Sequence, residues 1–156
     1  MQEMKLLDDP RITSYGRLFE AWVLVSRQLD EQLEREVGIS LTWYGALLLL
    51  GRSEAGMRPI GELSLATAFT SGGVTRLVDR MERAGHVERL PCPTDRRVIY
   101  VALTATGKDV LARATAVHVR GIQQYLLDKL EPEEIPRLES TLAKLGLGEP
   151  TPAICG

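Results

Sequence analysis

Cysteine is nearly missing from this chain, and its scarcity excludes several classes of protein. Only Cys92 and Cys155 occur among 156 residues, too few for a disulfide scaffold and too isolated for a zinc site. Histidine is as sparse: His86 and His118 are far apart in sequence and share no ligand-like spacing, so no metal is expected. Long apolar runs are lacking too. Leu47-Leu48-Leu49-Leu50 stops at Gly51-Arg52, well short of the roughly 18 residues that a membrane span needs. Met1-Gln2-Glu3-Met4-Lys5 has no charged-then-apolar leader pattern, which points to the cytoplasm. There is no excess of positive charge either. Nineteen basic against 21 acidic residues leave a net charge of −2, a weak argument against nucleic acid, whose binders usually show a basic footprint. Paired carboxylates in a plausible pocket, a nucleophile motif and a phosphate-cradling loop are all wanting. Ser71-Gly72-Gly73 has neither the lysine nor the spacing of a P-loop. No enzyme and no cofactor are expected.

What is present is an ordinary globular composition, 44% apolar and 26% charged, with strong helical periodicity. Ile12, Tyr15, Phe19, Trp22, Ser26, Leu29 and Leu33 recur at helical spacing, predicting one long amphipathic helix over about 13–37, stopped near Gly38. Ser40-Leu41-Thr42 offers caps for a second helix over about 43–53. Pro59 or Ile60 could open a short third to about Ala66. Thr70-Ser71 can cap a fourth through Ala84, ended by Gly85 as a left-handed cap. After Gly85 the period changes to two. Segments 86–90 and 98–103 read as strands joined by Pro91-Cys92-Pro93-Thr94-Asp95-Arg96-Arg97. Thr104 caps a fifth helix, and Pro132 is placed in the first turn of a last one whose stripe is Ile135, Leu138, Leu142 and Leu145. The fold class expected is mainly α with a small β-hairpin wing. The terminal helices are too apolar on one side for the central lobe to cover, and a partner subunit would cover them.

Charge is distributed unevenly. Between Thr70 and Tyr100 six arginines face four acids. In the fourth helix Val74, Leu77, Val78 and Met81 fall at i, i+3, i+4 and i+7, leaving Ser71, Gly72, Thr75, Arg76, Asp79 and Arg80 outward. That arrangement suits a recognition helix, whose N-terminal turns enter a major groove where arginine bonds guanine edges or phosphates. Gly72 and Gly73 cost roughly 1 kcal/mol each against alanine; close backbone approach to DNA would compensate. The rival reading is a solvated surface helix. The hairpin favours the first: Asp95-Arg96-Arg97 projects two cations at a tip that could enter a minor groove, with Asp95 holding Arg97.

The stretch from Leu41 to Leu111 resembles the winged helix-turn-helix of the MarR family. The resemblance rests on Leu41-Thr42, Leu63, the run Val74-Thr75-Arg76-Leu77-Val78-Asp79-Arg80-Met81-Glu82, Gly85, Asp95-Arg96-Arg97 and the closing Leu103-Thr104-Ala105-Thr106-Gly107. It implies a single domain over 1–156, with a DNA-binding lobe at 41–104 and dimerisation helices at 11–38 and 105–147. Ser71, Gly72, Thr75, Arg76 and Arg80 would lie on the groove-facing helix. Arg97 would be the wing arginine, Asp95 its support and Arg96 a phosphate contact. The implied function is that of a homodimeric repressor on a pseudo-palindromic operator, responsive to a small aromatic or lipophilic effector.

Such an effector would lie between the two lobes, against the first, second and fifth helices, and Trp22, Trp43, Tyr44, Arg52 and His118 are the candidates to line its site. Cys92, near Arg96 and Arg97, is a candidate exposed and reactive thiol. A helical interaction module without a DNA role is the alternative from another class.

Overall fold

A computed structural model describes residues 7–67, 71–92, 95 and 97–145. Its first helix, α1 (Pro10–Val37), starts three residues earlier than periodicity indicates, because Asp9 accepts a hydrogen bond from the Arg11 backbone and a proline suits the first turn. It ends at Gly38, whose φ of 79° lets its N–H reach the carbonyls of Leu33 and Glu34. Helix α2 (Leu41–Gly51) is capped by Ser40, whose hydroxyl accepts from the Trp43 N–H. Asp30 of α1 accepts from the Leu41 N–H at 2.6 Å and fixes the α1–α2 corner.

The next element departs from expectation. Met57–Pro59 forms a strand, β1, before α3 (Ile60–Thr67) and α4 (Ser71–Arg83). With β2 (Val87–Pro91) and β3 (Ile99–Leu103) it makes an antiparallel sheet in the order β1-β3-β2. Val101, at the centre, pairs with Arg58 on one side and Arg89 on the other. Alternation along the hairpin reveals the two β2–β3 partners, but a three-residue strand ending in proline carries no such pattern. Arg58 is itself buried, its guanidinium donating to the Leu49 carbonyl and to Glu62.

Helix α5 (Ala105–Tyr125) is capped by Thr104, and a 3-10 turn (Leu127–Lys129) leads to α6 (Glu134–Lys144). Pro132 lies before α6, not in its first turn. Pro136 occupies that turn instead, where a missing N–H costs nothing. One core joins Leu33 of α1, Leu47 and Leu50 of α2, Leu63 of α3, Leu77 and Met81 of α4, and Val101 of β3 with the inner face of α5. Helices α1 and α5 approach so closely at Gly121 that a methyl there would meet Gln32 Oε1 at 2.5 Å. No helix of the described residues is long and apolar enough to cross a membrane.

Candidate nucleic-acid interface

Helix α4 is a short amphipathic rod. Val74, Leu77, Val78 and Met81 are buried, as their spacing requires. Arg76, Arg80 and Arg83 recur at i, i+4 and i+7 along the exposed side and line a shallow depression with Gly73. None of these three arginines forms an ion pair among the described residues. Of the helix acids, Asp79 borders the same depression, and both it and Glu82 pair with Arg89 of β2. Arg89 thereby offsets one of their two negative charges within the chain. Ser71 opens the helix, and Gly72 and Thr75 are exposed in its first turns. A side chain at Gly72 would meet nothing within 4 Å, so internal packing does not require a glycine there.

The second cationic element is the connection between β2 and β3. Its turn is closed by the Val98 N–H donating to the Asp95 carbonyl. The Arg97 backbone N–H, Nε and Nη2 all donate to the Asp95 carboxylate, at 3.0 to 3.1 Å. These contacts hold the Asp95 carboxyl below the usual carboxylate range. The Arg97 side chain remains 91% exposed. The ion pair fixes the direction of a guanidinium that stays in solvent. Arg96 lies outside the described residues.

Cys92 requires a correction. The exposed reactive thiol expected from its neighbours is absent: the residue is 5% exposed, with its N–H donating to the Val98 carbonyl. Cys155 lies outside the described residues.

The five residues suggested for an effector site have different surroundings. Tyr44 of α2 and His118 of α5 meet, with ring centroids 4.6 Å apart. Burial pushes the His118 imidazole below its ordinary pKa, and its Nδ1 has no hydrogen-bond partner among the described residues. Trp43 faces elsewhere. It packs edge-on against His86 and carries the Arg80 guanidinium 5.9 Å above its ring, within cation–π range. Arg52 is the exposed C-cap of α2, and Trp22 is exposed on α1. Arg89, whose partners are set by the fold of the hairpin, is the residue that sequence spacing did not single out.

Comparison with known proteins matches this geometry. The profile of the MarR family matches residues 37–98. The HTH-type transcriptional regulator YkoM of Bacillus subtilis is 32% identical over 72% of this chain and 71% of its own. The multiple antibiotic resistance protein MarR of Escherichia coli is 33% identical over 60% of this chain. The chain spans 38% to 65% of the length of three curated relatives, MarR among them. A MarR family transcriptional regulator from Streptomyces coelicolor, solved in complex with DNA, superimposes with a TM-score of 0.77 at 31% identity, covering 85% of this chain and 83% of its own. The chain belongs to the MarR family of transcription regulators, a family of regulators and not of enzymes.

Proposed function

We propose that this chain reads duplex DNA sequence-specifically, as a homodimer on a pseudo-palindromic site. Helix α4 enters the major groove through Ser71, Gly72, Thr75, Arg76 and Arg80, and Arg97 reaches the adjoining minor groove from the wing. The observation that carries the reading is the row of guanidiniums at 76, 80 and 83, without ion pairs among the described residues, on a helix whose acids are both engaged by Arg89. The solved relative in complex with DNA supports it.

The apolar surface supports dimerisation. Ile12, Tyr15, Leu18, Phe19 and Trp22 line the exposed side of α1, and α6 buries none of its residues. Helices 11–38 and 105–147 of two chains would close over this surface, leaving the 41–104 lobes free to meet half-sites roughly 34–36 Å apart. Repression follows if the site overlaps a promoter. A small aromatic or lipophilic effector near Tyr44 and His118 would relieve it by favouring a dimer of different spacing.

Gel-shift titration tests the reading, using a duplex enriched on the wild-type chain from a random-sequence library. Arg76→Ala and Arg97→Ala should each weaken binding about tenfold or more, in line with the roughly 1–3 kcal/mol of a specific base contact. Helix content should stay unchanged, and affinity should fall steeply with salt. Two variants that bind like wild type would refute the assignment of the face.

A further inference from the structure

We propose that Arg89 is a positioning residue of the DNA-reading face, fixing the angle between α4 and the wing by bridging Asp79 and Glu82; the proposal rests on the DNA-reading function above. Successive strand residues point to opposite sides, so Arg89 follows the buried Val87 toward α4, while Glu88 and Leu90 turn outward. Asp79 and Glu82, three apart on the helix, share the flank it meets. Arg89 Nη2 donates to Asp79 Oδ1 at 2.6 Å, and Nη1 donates to Glu82 Oε2. The Arg89 backbone N–H donates to the other Glu82 oxygen at 3.2 Å. One residue of β2 is thus tied to two of α4 by three hydrogen bonds, two of them between opposite charges and therefore among the stronger kind. A guanidinium suits the task because its donors are fixed in one plane, whereas an ammonium has no set direction.

The arrangement also accounts for acids on a helix facing phosphates. Asp79 and Glu82 would oppose DNA if their only effect were electrostatic. As anchors for the wing they set where Arg97 arrives when α4 is seated. Charge and position therefore make opposite predictions for their removal.

The decisive variant is Asp79→Asn with Glu82→Gln in the full chain. Binding is measured to the duplex enriched on the wild-type chain and to a random duplex, and read as the ratio of the two affinities. Removal of two negative charges should tighten binding to the random duplex. The ratio should nevertheless fall about tenfold, the scale of losing one base-pair discrimination. Arg89→Gln should lower the ratio to a similar extent, and the triple variant no further, since all three changes break one joint. A ratio preserved or raised in Asp79→Asn/Glu82→Gln would overturn the proposal and leave Arg89 as a charge alone. Should the double variant lose its helical signal, Glu82→Gln alone, which keeps the 2.6 Å pair, should give an intermediate ratio; an unchanged one overturns the proposal equally. Failure of the DNA-reading function itself would be seen separately, as an unmodified chain that enriches no duplex, and would sink both.

Discussion

The central lobe and the terminal helices are built from the same kinds of residue and end in opposite states. Leu47, Leu50, Leu63, Leu77, Val78 and Met81 are almost wholly removed from water, while Phe19 and Trp22 of α1 stay 57% and 67% exposed. The boundary runs through α1 itself: Leu29 and Leu33 lie within the protein, and the first half of the same stripe is uncovered. An amphipathic pattern therefore identifies a surface that favours burial without saying which chain provides the cover.

Replacing Phe19 and Trp22 with glutamate should break the contrast most forcefully. Each large side chain contributes roughly 1.5–3 kcal/mol on burial, and a two-fold interface uses each residue twice. The dissociation constant of the proposed dimer should rise at least about a thousandfold in sedimentation equilibrium. An unchanged association constant would place the dimer contact elsewhere. Leu50→Ala probes the closed region and should cost about 2–5 kcal/mol in urea unfolding, by the same amount at every protein concentration. A loss that vanished at high concentration would show that this lobe, too, depends on a partner.

The smallest effect concerns the border between the two regions. Burial lowers the His118 pKa from 6.5, so the unfolded chain takes up this proton more readily than the folded one. The stabilisation is complete above 6.5 and declines as pH falls below it toward the folded value. His86 acts in the same direction, through burial first and the charge of Arg113 second. Melting temperature should fall as the solution is acidified through this window, less steeply in His118→Gln than in wild type. Equal slopes would mean that His118 is not held neutral by its surroundings.

Much of the fold was legible because its signals are local. The 3.6-residue spacing of Val74, Leu77, Val78 and Met81 gave the buried side of α4, and Ser40, Gly38, Gly85 and Thr104 marked ends by their capping chemistry. Non-local features were hidden. Strand β1 exists because β3 offers it a partner 45 positions later at Met57↔Ala102 and its neighbours, not because Met57-Arg58-Pro59 prefers extension. Pro132 and Pro136 are equivalent by composition, and the position of the preceding 3-10 turn decides between them. In the candidate interface, the Asp95–Arg97 contact was legible from a two-residue separation. The Arg89 bridge was not, since its partners lie seven and ten residues away across a turn. The separate surroundings of Trp22, Trp43 and Arg52 likewise depend on helix packing, which composition does not encode.

The joint between Gly85 and Gly107 has a mechanical consequence. Thr104 donates its hydroxyl proton to the Gly85 carbonyl at 2.6 Å and caps α5 by accepting from the Gly107 N–H. A methyl on Gly107 would overlap the His86 carbonyl oxygen, so the first turn of α5 rests directly on the chain leaving α4. The end of α4 and the start of α5 are thus tied directly, across the base of the hairpin. A rotation of α5 at this corner would be passed to the end of α4 through these contacts.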